Sequence, residues 1–532
     1  MNSHTRVRSL IQALAAFTLM LCDTSVGYAA TNSVSTSAQR PNVLFVLTDN
    51  QPASILGVYG NRDVRTPNID RLAREGTLFR RFYAANGMCS PTRATLLTGL
   101  MPSQHGIHNW LDDSMMQDWP RDWSAIAEFR TLSLVLRNRG YRTAMIGKWH
   151  LGQPWEPSLG YQYWVTLSIG HTIDFWDNTV IDNGETVSVK GRHIVDYFTD
   201  KAVDYIEQQD GDEPFYLQLN YDGPYLNPPT NSGPARNRFY RDYLGRSFDS
   251  FPRVAFNQNL ARQILEKEDH NPFIIKQIFA ALAMHNDPET MANVASQNTL
   301  VDDGIGRVMA ALKRKGLDTN TLVIFSSDQG NFYGQHGLWE HTVVTTPSNL
   351  YETAMNIPLI MRQPGRIEKG ASFNSLLAQY DLPITILRYL GIDEVAFPNS
   401  PGKSFAGLLD RDKPLTPREE VFFEQEESRG IRTDRYALWT RLKGTGGPEL
   451  YDMWEDPQQN TNLANRPEYS LLVEDLERRI TAFFDHYSDP HYDLWKGGVA
   501  KGSVVRPELF KRLYGPGWET ETPLLPPYKE ER

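Results

Sequence analysis

Two cysteines occur in 532 residues, and only one lies where it can do chemistry. Cys22 falls within an N-terminal stretch that reads as an export signal, so removal of that stretch would leave Cys89 without an intramolecular disulfide partner. A lone thiol in an oxidising compartment is a liability or a reactive group. Cys89 is followed by Ser90, Pro91, Thr92 and Arg93, with proline at +2 and arginine at +4. Pro91 to Leu97 reads as a helix, which puts residue 89 at a helix start, where backbone N–H groups face an anion. The opposing reading is a buried, inert thiol. Four further polar sequences stand at predicted strand ends: Asp49-Asn50, Lys148 with His150, Asn220 to Tyr225, and Asp328-Gln329. In open α/β sheets ligands gather beyond the carboxyl ends of the strands. Each sequence alone suits a turn or a helix cap; together with Cys89 they converge on one site.

The elements that must carry these residues alternate. Val43 to Thr48 is a nearly continuous apolar run, as expected of a buried parallel strand. Thr66-Pro67 opens a helix through Arg74, with Gly76 beyond its end. A helix over 131–139 precedes a strand over 142–146, and a helix near 194–208 precedes a strand over 215–219. A helix near 299–314 precedes the strand 321–325; the strand 357–361 and a helix near 381–390 complete the series. This alternation predicts an α/β fold with a mostly parallel central sheet flanked by helices. From about 415 the stretches 421–424, 430–441 and 449–453 read as short strands with hairpin-like joins, followed by a helix near 468–484. They predict a smaller C-terminal α+β domain with an antiparallel sheet. The segment 228–300 reads as a polar, helical insertion.

The predicted organisation is a signal peptide over 1–30, a Ser/Thr-rich linker over 31–40, a catalytic domain over 41–412 and a C-terminal subdomain over 413–532. Arg6 and Arg8 precede the apolar run Leu10 to Leu21, and Ala29-Ala30 offers small residues for cleavage. That run is too short to span a bilayer, and the layout predicts a periplasmic or secreted protein without an integral membrane span. A lipoprotein cysteine at Cys22 is disfavoured by the bulky Leu21 before it. The net charge of −10 argues against a nucleic-acid or anionic-membrane binder but leaves room for an anionic substrate at a local cluster of cations.

The stretch Cys89-Ser90-Pro91-Thr92-Arg93 resembles the Cys-x-Pro-x-Arg signature of type I sulfatases. Residues 41–49 (PNVLFVLTD) resemble the opening strand of that family, and 66–73 (TPNIDRLA) its next block. The stretches 147–152 (GKWHLG), 321–330 (TLVIFSSDQG), 334–340 (GQHGLWE) and 449–457 (ELYDMWEDP) follow in family order. The resemblance runs from about 41 to 465 and implies the fold of the alkaline phosphatase superfamily. It also implies that Cys89 is converted to formylglycine by a formylglycine-generating or maturase enzyme. One hydroxyl of the aldehyde hydrate would attack sulfur and the other would collapse to release sulfate, whereas a serine sulfate could be freed only by water.

By the same resemblance Asp49, Asn50, Asp328 and Gln329, with position 89, would hold a divalent cation. An all-oxygen side-chain set suits Ca²⁺, or Mg²⁺, rather than zinc. The commonest family pattern has Asp-Asp first and Asp followed by Asn or His second, so Asn50 removes one negative charge. Arg93 matches the arginine that holds the nucleophile, Lys148 the lysine on sulfate, and His150 the histidine that orients the diol or moves its proton. Two departures concern the leaving-group side. Tyr225 stands where the family often has a histidine in a Pro-His motif, and a phenol near pKa 10 is a weaker acid. The second sulfate-binding lysine, expected between Trp339 and Tyr351, is absent, and His341 is the nearest cationic candidate; His336 reads as a loop residue. The run 170–178 offers His171 and Trp176 as walls of a sugar pocket, against the alternative that its aromatics are core.

The expected function is an exported sulfatase acting on a sulfated small molecule or glycan. Two other readings are a phosphate or phosphonate ester hydrolase on the same fold, and a non-catalytic glycan-binding relative. The latter is motivated by Asn50, Gln329, Tyr225 and the missing lysine, and opposed by the intact conversion motif.

Overall fold

Strand β1 (Asn42–Thr48) serves two cores at once. Val43, Phe45 and Leu47 belong to one hydrophobic cluster, and Leu44 and Val46 to another. A period-two strand does this when both faces of its sheet are covered, which is why the run is apolar without interruption. The structure is a computed structural model and describes residues 40–520 apart from 112–118, 173, 226–235, 259, 261–278, 393–396, 411–414 and 416–417. The expected signal peptide, Cys22 and all of the linker except Arg40 lie outside the described residues, as does part of the expected insertion. No helix among the described residues is long and apolar enough to cross a membrane.

The main sheet has ten strands, built from β1, β2 (Thr77–Tyr83), β3 (Arg142–Gly147), β4 (Tyr163–Leu167), β5 (Thr179–Asp182), β6 (Glu185–Ser188), β7 (Phe215–Asn220), β8 (Thr321–Ser327), β9 (Asn356–Arg362) and β10 (Ala371–Ala378). Their spatial order is β10-β2-β9-β8-β1-β7-β3-β4-β5-β6. The central run β8-β1-β7-β3-β4 is parallel throughout. Antiparallel pairs appear toward the margins, at β8–β9, β9–β2, β4–β5 and β5–β6. One face is covered by α1 (Pro67–Glu75), α4 (Ile194–Glu207) and α5 (Pro288–Arg314), whose apolar residues join the cluster of Leu44. The other is covered by α2 (Cys89–Thr98), α3 (Leu132–Asn138) and α6 (Leu382–Tyr389), which join the cluster of Val43.

One helix and five strands differ from the sequence reading. Helix α5 begins at Pro288 rather than near 299, because the Asp287 side chain accepts a bond from the Thr290 backbone N–H and Pro288 occupies the first turn. Strands β2, β4, β5, β6 and β10 were not expected. β2 carries Arg80 and Arg81 in its middle, and β5–β6 form a short, half-exposed marginal hairpin, so neither shows the apolar run of a central strand.

The second sheet is antiparallel, β11 (Glu420–Gln425), β12 (Ser428–Thr433), β13 (Tyr436–Arg441) and β14 (Glu449–Asp452), covered by α7 (Ser470–Tyr487). Phe423, Trp439, Leu476 and Ile480 belong to the same cluster as Val43 and Phe45, so the core runs without a break from the parallel sheet into this one. The β11–β12 turn enters that junction. Glu424, Gln425, Glu426 and Glu427 are all buried, and the Gln425 side chain accepts from the Gly87 N–H at 3.2 Å, just before the candidate nucleophile.

Glu426 gives this junction a pH dependence. Burial and then the charge of Glu427 raise its carboxyl to about 8. Its folded value lies above the usual carboxyl range, so the folded chain keeps a proton that the unfolded chain releases. Stability from this group is complete below the usual carboxyl pKa and is lost as pH rises through about 8. The Val505 N–H donates to the Glu426 carboxyl at 2.9 Å. Glu426→Gln keeps an acceptor for that bond and cannot ionise. Its unfolding midpoint should therefore fall less than wild type between pH 6 and pH 9; identical slopes would assign the pH dependence elsewhere.

Candidate active site

Strand register assembles the site. Thr48 at the end of β1 pairs with Ser327 at the end of β8, so Asp49 and Asp328, the next residues of each strand, stand side by side. On the other flank β7 pairs with β1 and β3, with Asn220 opposite Leu47 and Gly147. This brings Lys148 and the Asn220–Tyr225 stretch to the same edge of the sheet. Gly147 allows the approach: its φ is +113°, and a Cβ there would lie 1.8 Å from the Asn220 carbonyl oxygen. The Lys148 N–H then donates to that oxygen at 2.9 Å.

Cys89 is the first residue of α2, and all ten residues of that helix are buried. Its Sγ lies 3.5 Å from Lys148 Nζ, 3.6 Å from Asp49 Oδ1 and 3.1 Å from Gln329 Nε2. One turn along, Arg93 spans the carboxylate pair: Nη2 donates to Asp49 Oδ2 at 2.9 Å and to Asp328 Oδ2 at 2.8 Å, and Nη1 to the Lys148 carbonyl at 2.9 Å. Lys148 Nζ is 2.6 Å from Asp49 Oδ2 and 3.6 Å from Asp222 Oδ1. Asn50 has φ +60°, a conformation fixed by the bond from its N–H to Asp328 Oδ1 at 3.2 Å and by Tyr333, whose hydroxyl donates to its carbonyl at 2.9 Å.

The electrostatics follow from burial. Burial pulls the Asp49 carboxyl up, but Lys148 and Arg93 overcome it and hold the group below its ordinary range. Burial and then the charge of Asp49 raise Asp328 to about 6. Burial, against the pull of Lys148, raises Asp222 to about 6. The carboxylates thus remain short of positive charge despite two buried cations. One ligand atom each from Asp49, Cys89 and Asp328 lie within 4.8 Å of one another. The buried carboxamide of Asn50 lies beside them, its Nδ2 without a hydrogen-bond partner among the described residues and its Oδ1 accepting from Gln329. Two carboxylates at this spacing, with the Asn50 carboxamide beside them, fit a hard divalent cation.

The remaining candidates differ in their surroundings. The Nε2 of His150 is 3.1 Å from the Leu111 carbonyl. A carbonyl can only accept, so Nε2 carries the proton and Nδ1 keeps its lone pair. Burial, then the charge of Lys148, holds this imidazole well below its ordinary pKa, and it is neutral. His171 lies 5.8 Å from the His150 ring and 6.2 Å from the Tyr225 ring. Tyr225 covers Lys148, whose Nζ is 4.5 Å from its ring centroid. Trp176 meets His193 edge-on at 5.2 Å and packs on the core beneath. His341 Nδ1 lies 3.0 Å from Glu340 Oε2, and its charge reaches Asp49. His336 stacks on Tyr351 at 3.9 Å.

Residue reading passed over three groups. Asp222 bonds the Thr172 N–H at 2.6 Å and so ties the His171 loop to the Lys148 cluster; its only signal was its place after β7. Glu340 announced itself only as the neighbour of His341. Gln51, whose side chain bridges Thr48 to Asn298 on α5, gave no signal at all.

The family model for sulfatases matches residues 41–392, more than half of the chain, and that for the N-sulphoglucosamine sulphohydrolase C-terminal region matches 334–485. The chain is 25% identical over 558 residues to an N-acetylglucosamine-6-O-sulfatase of Bacteroides thetaiotaomicron, covering 93% of this chain and 94% of that protein. It is 26% identical over 493 residues to an ulvan-active sulfatase of Formosa agariphila, covering 88% and 85%. A solved structure of a protein in complex with its substrate D-glucosamine-2-N,6-O-disulfate superposes with a TM-score of 0.64 at 24% identity, covering 84% of this chain and 98% of the other.

Proposed function

Because this chain belongs to the sulfatase family and is a sulfuric-ester hydrolase, we propose that it desulfates a sulfated carbohydrate through a formylglycine made from Cys89. The observation that carries the reading is the position of Cys89, at the start of α2 with Lys148, Asp49 and Gln329 around its sulfur. A formylglycine hydrate there supplies one hydroxyl for attack on sulfur and a second whose collapse frees sulfate. A divalent cation, proposed as calcium, would be held by Asp49, Asn50, Asp328 and Gln329 with residue 89, and supplies positive charge opposite the sulfate oxygens.

The chain's own residues account for the rest. Arg93 keeps Asp49 and Asp328 aligned and cannot lose its charge. Lys148 offers an ammonium within reach of an oxygen bound to residue 89. His150, neutral and with its Nδ1 lone pair uncommitted, can take a proton from the hydrate. Tyr225, His171 and His341 would contact the sugar and the departing oxygen, with Trp176 in the same aromatic stretch as His171. The names of the relatives, acting on N-acetylglucosamine 6-sulfate and on ulvan, support a glycan substrate.

The reading carries a biogenesis. Residues 1–30 would direct export to the periplasm or beyond, and a formylglycine-generating or maturase enzyme would act on Cys89. The catalytic part would span 41–412 and the C-terminal subdomain 413–532. Peptide mass spectrometry across residue 89, on protein from its native host, tests the nucleophile: an aldehyde in place of the thiol supports it, and a uniformly unmodified thiol removes it. On the same preparation, turnover of N-acetylglucosamine 6-sulfate above that of an aryl phosphonate would support the substrate class; the reverse order would favour the phosphonate reading.

A further inference from the structure

A buried carboxylate–imidazole pair lies in the loop after β8, next to the residue that packs on Gly87. Glu340 Oε2 and His341 Nδ1 are 3.0 Å apart, and the two side chains are 1% and 10% exposed. His341 Nε2 has no hydrogen-bond partner among the described residues, and neither do the two Glu340 carboxylate oxygens, so the contact between the two side chains is an ion-pair distance rather than a closed hydrogen bond. A buried polar atom left open in this way awaits a ligand or water. The pair's location is fixed by its neighbour. Thr342 packs so tightly on Gly87, two residues before Cys89, that a Cβ at Gly87 would lie 2.1 Å from Thr342 Oγ1. Glu340 is among the charges that act on the Tyr225 phenol.

Other groups at the site are poorly suited to give a proton to a departing alcohol. Burial raises the Tyr225 phenol well above its ordinary value. His150 is neutral, and its one N–H is spent on the Leu111 carbonyl. Lys148 Nζ is committed to Asp49 at 2.6 Å and lies 3.5 Å from Cys89 Sγ, on the nucleophile. Yet the oxygen leaving a sugar sulfate is a strong base and needs a proton as its bond to sulfur breaks.

Resting on the sulfatase reading above, we propose that His341 is the acid that protonates the leaving alcohol and that Glu340 is its positioning residue. As the nucleophile's oxygen bonds sulfur, the bond from sulfur to the alcohol oxygen breaks and its electron pair stays on that oxygen. The oxygen takes the proton from His341 Nε2, leaving a neutral ring whose Nδ1–H remains on Glu340. The attacking hydroxyl gives its proton to His150 Nδ1, which passes it to solvent, and one proton from solvent restores the His341 ring, so each turnover balances.

Leaving-group dependence tests this, because a merely structural role or a simple sulfate contact would affect all substrates alike. His341→Gln should lower kcat on a sugar sulfate by about 100-fold or more, the usual range for a general acid, but on 4-nitrophenyl sulfate, whose phenolate leaves unaided, by only about 5-fold. Glu340→Gln should show the same asymmetry, with about a 10-fold loss on the sugar sulfate. His341→Lys, which keeps a cationic acid in place, should retain more activity on the sugar sulfate than His341→Gln. Should Glu340→Gln not fold, the comparison of the two His341 variants still decides. Equal losses on both substrates would overturn the dyad while leaving the sulfatase reading intact. Absence of turnover of any sulfate ester by the unmutated protein would overturn both.

Discussion

Cys89→Ala leaves a folded protein whose turnover of a sulfate ester falls to background, a loss on the order of 10⁴-fold or more, as expected when a covalent nucleophile is removed. The fold should survive because the thiol's bonds are weak and long, at 3.1 to 3.6 Å, and its neighbours are held by Arg93. Cys89→Ser separates the proposed two-hydroxyl chemistry from ordinary nucleophilic catalysis. A serine hydroxyl can attack sulfur but has no second hydroxyl through which to expel sulfate. That variant should therefore trap one sulfuryl group per chain on residue 89, visible in intact mass, and then stop. Sustained turnover by Cys89→Ser would sink the mechanism, and near-normal activity of Cys89→Ala would remove residue 89 from it altogether.

Arg93→Gln carries the largest expected cost in stability. The guanidinium lies between Asp49 and Asp328 with its Nη2 within 2.9 Å of both carboxylates, all three side chains nearly inaccessible to solvent. Removing one partner of a buried ion cluster leaves uncompensated charge, which costs about 3–5 kcal/mol. Asp328 feels this most, since Lys148 remains at 2.6 Å from Asp49 while Arg93 is the only cation within bonding distance of Asp328 among the described residues. Denaturant unfolding should show the loss directly. Millimolar Ca²⁺ should restore a larger share of the midpoint in the variant than it adds to wild type, because a divalent ion bound by the two carboxylates does part of the guanidinium's work. Unfolding of the variant at the wild-type denaturant concentration would show that Arg93 does not neutralise the pair.

The parts of the fold legible in the sequence were those whose local pattern and tertiary setting agree. β1, β7 and β8 are apolar on both faces because both faces are covered, and their ends could be read to within a residue or two. Since Asp49, Lys148 and Asp328 directly follow strand ends, their convergence was legible too. β2 was not, because Arg80 and Arg81 face outward beside β10 and break the run. Trp176 and His171 lie in one aromatic stretch, but only His171 is placed near Tyr225 and His150; backbone direction, which composition does not encode, separates them. Asp222 bonds Thr172, fifty positions away, and Glu340 meets its own neighbour His341 inside a loop, and residue type alone says nothing of such pairings.

The depth of Cys89 imposes an order of events. Its side chain is 3% exposed, and the loop before it is clasped from far along the chain: Asn86 donates to the Glu424 carbonyl at 2.6 Å, and Gln425 accepts from Gly87. Residues more than three hundred positions downstream therefore close over the thiol. The proposed maturing enzyme, which would have to seat this side chain in its own catalytic pocket, could do so only while the second sheet is unmade. Under that proposal maturation and folding would compete, and a molecule that folds first would be sealed with its sulfur in place. Slowing synthesis through residues 420–430 should raise the converted fraction without altering a single contact of the finished protein.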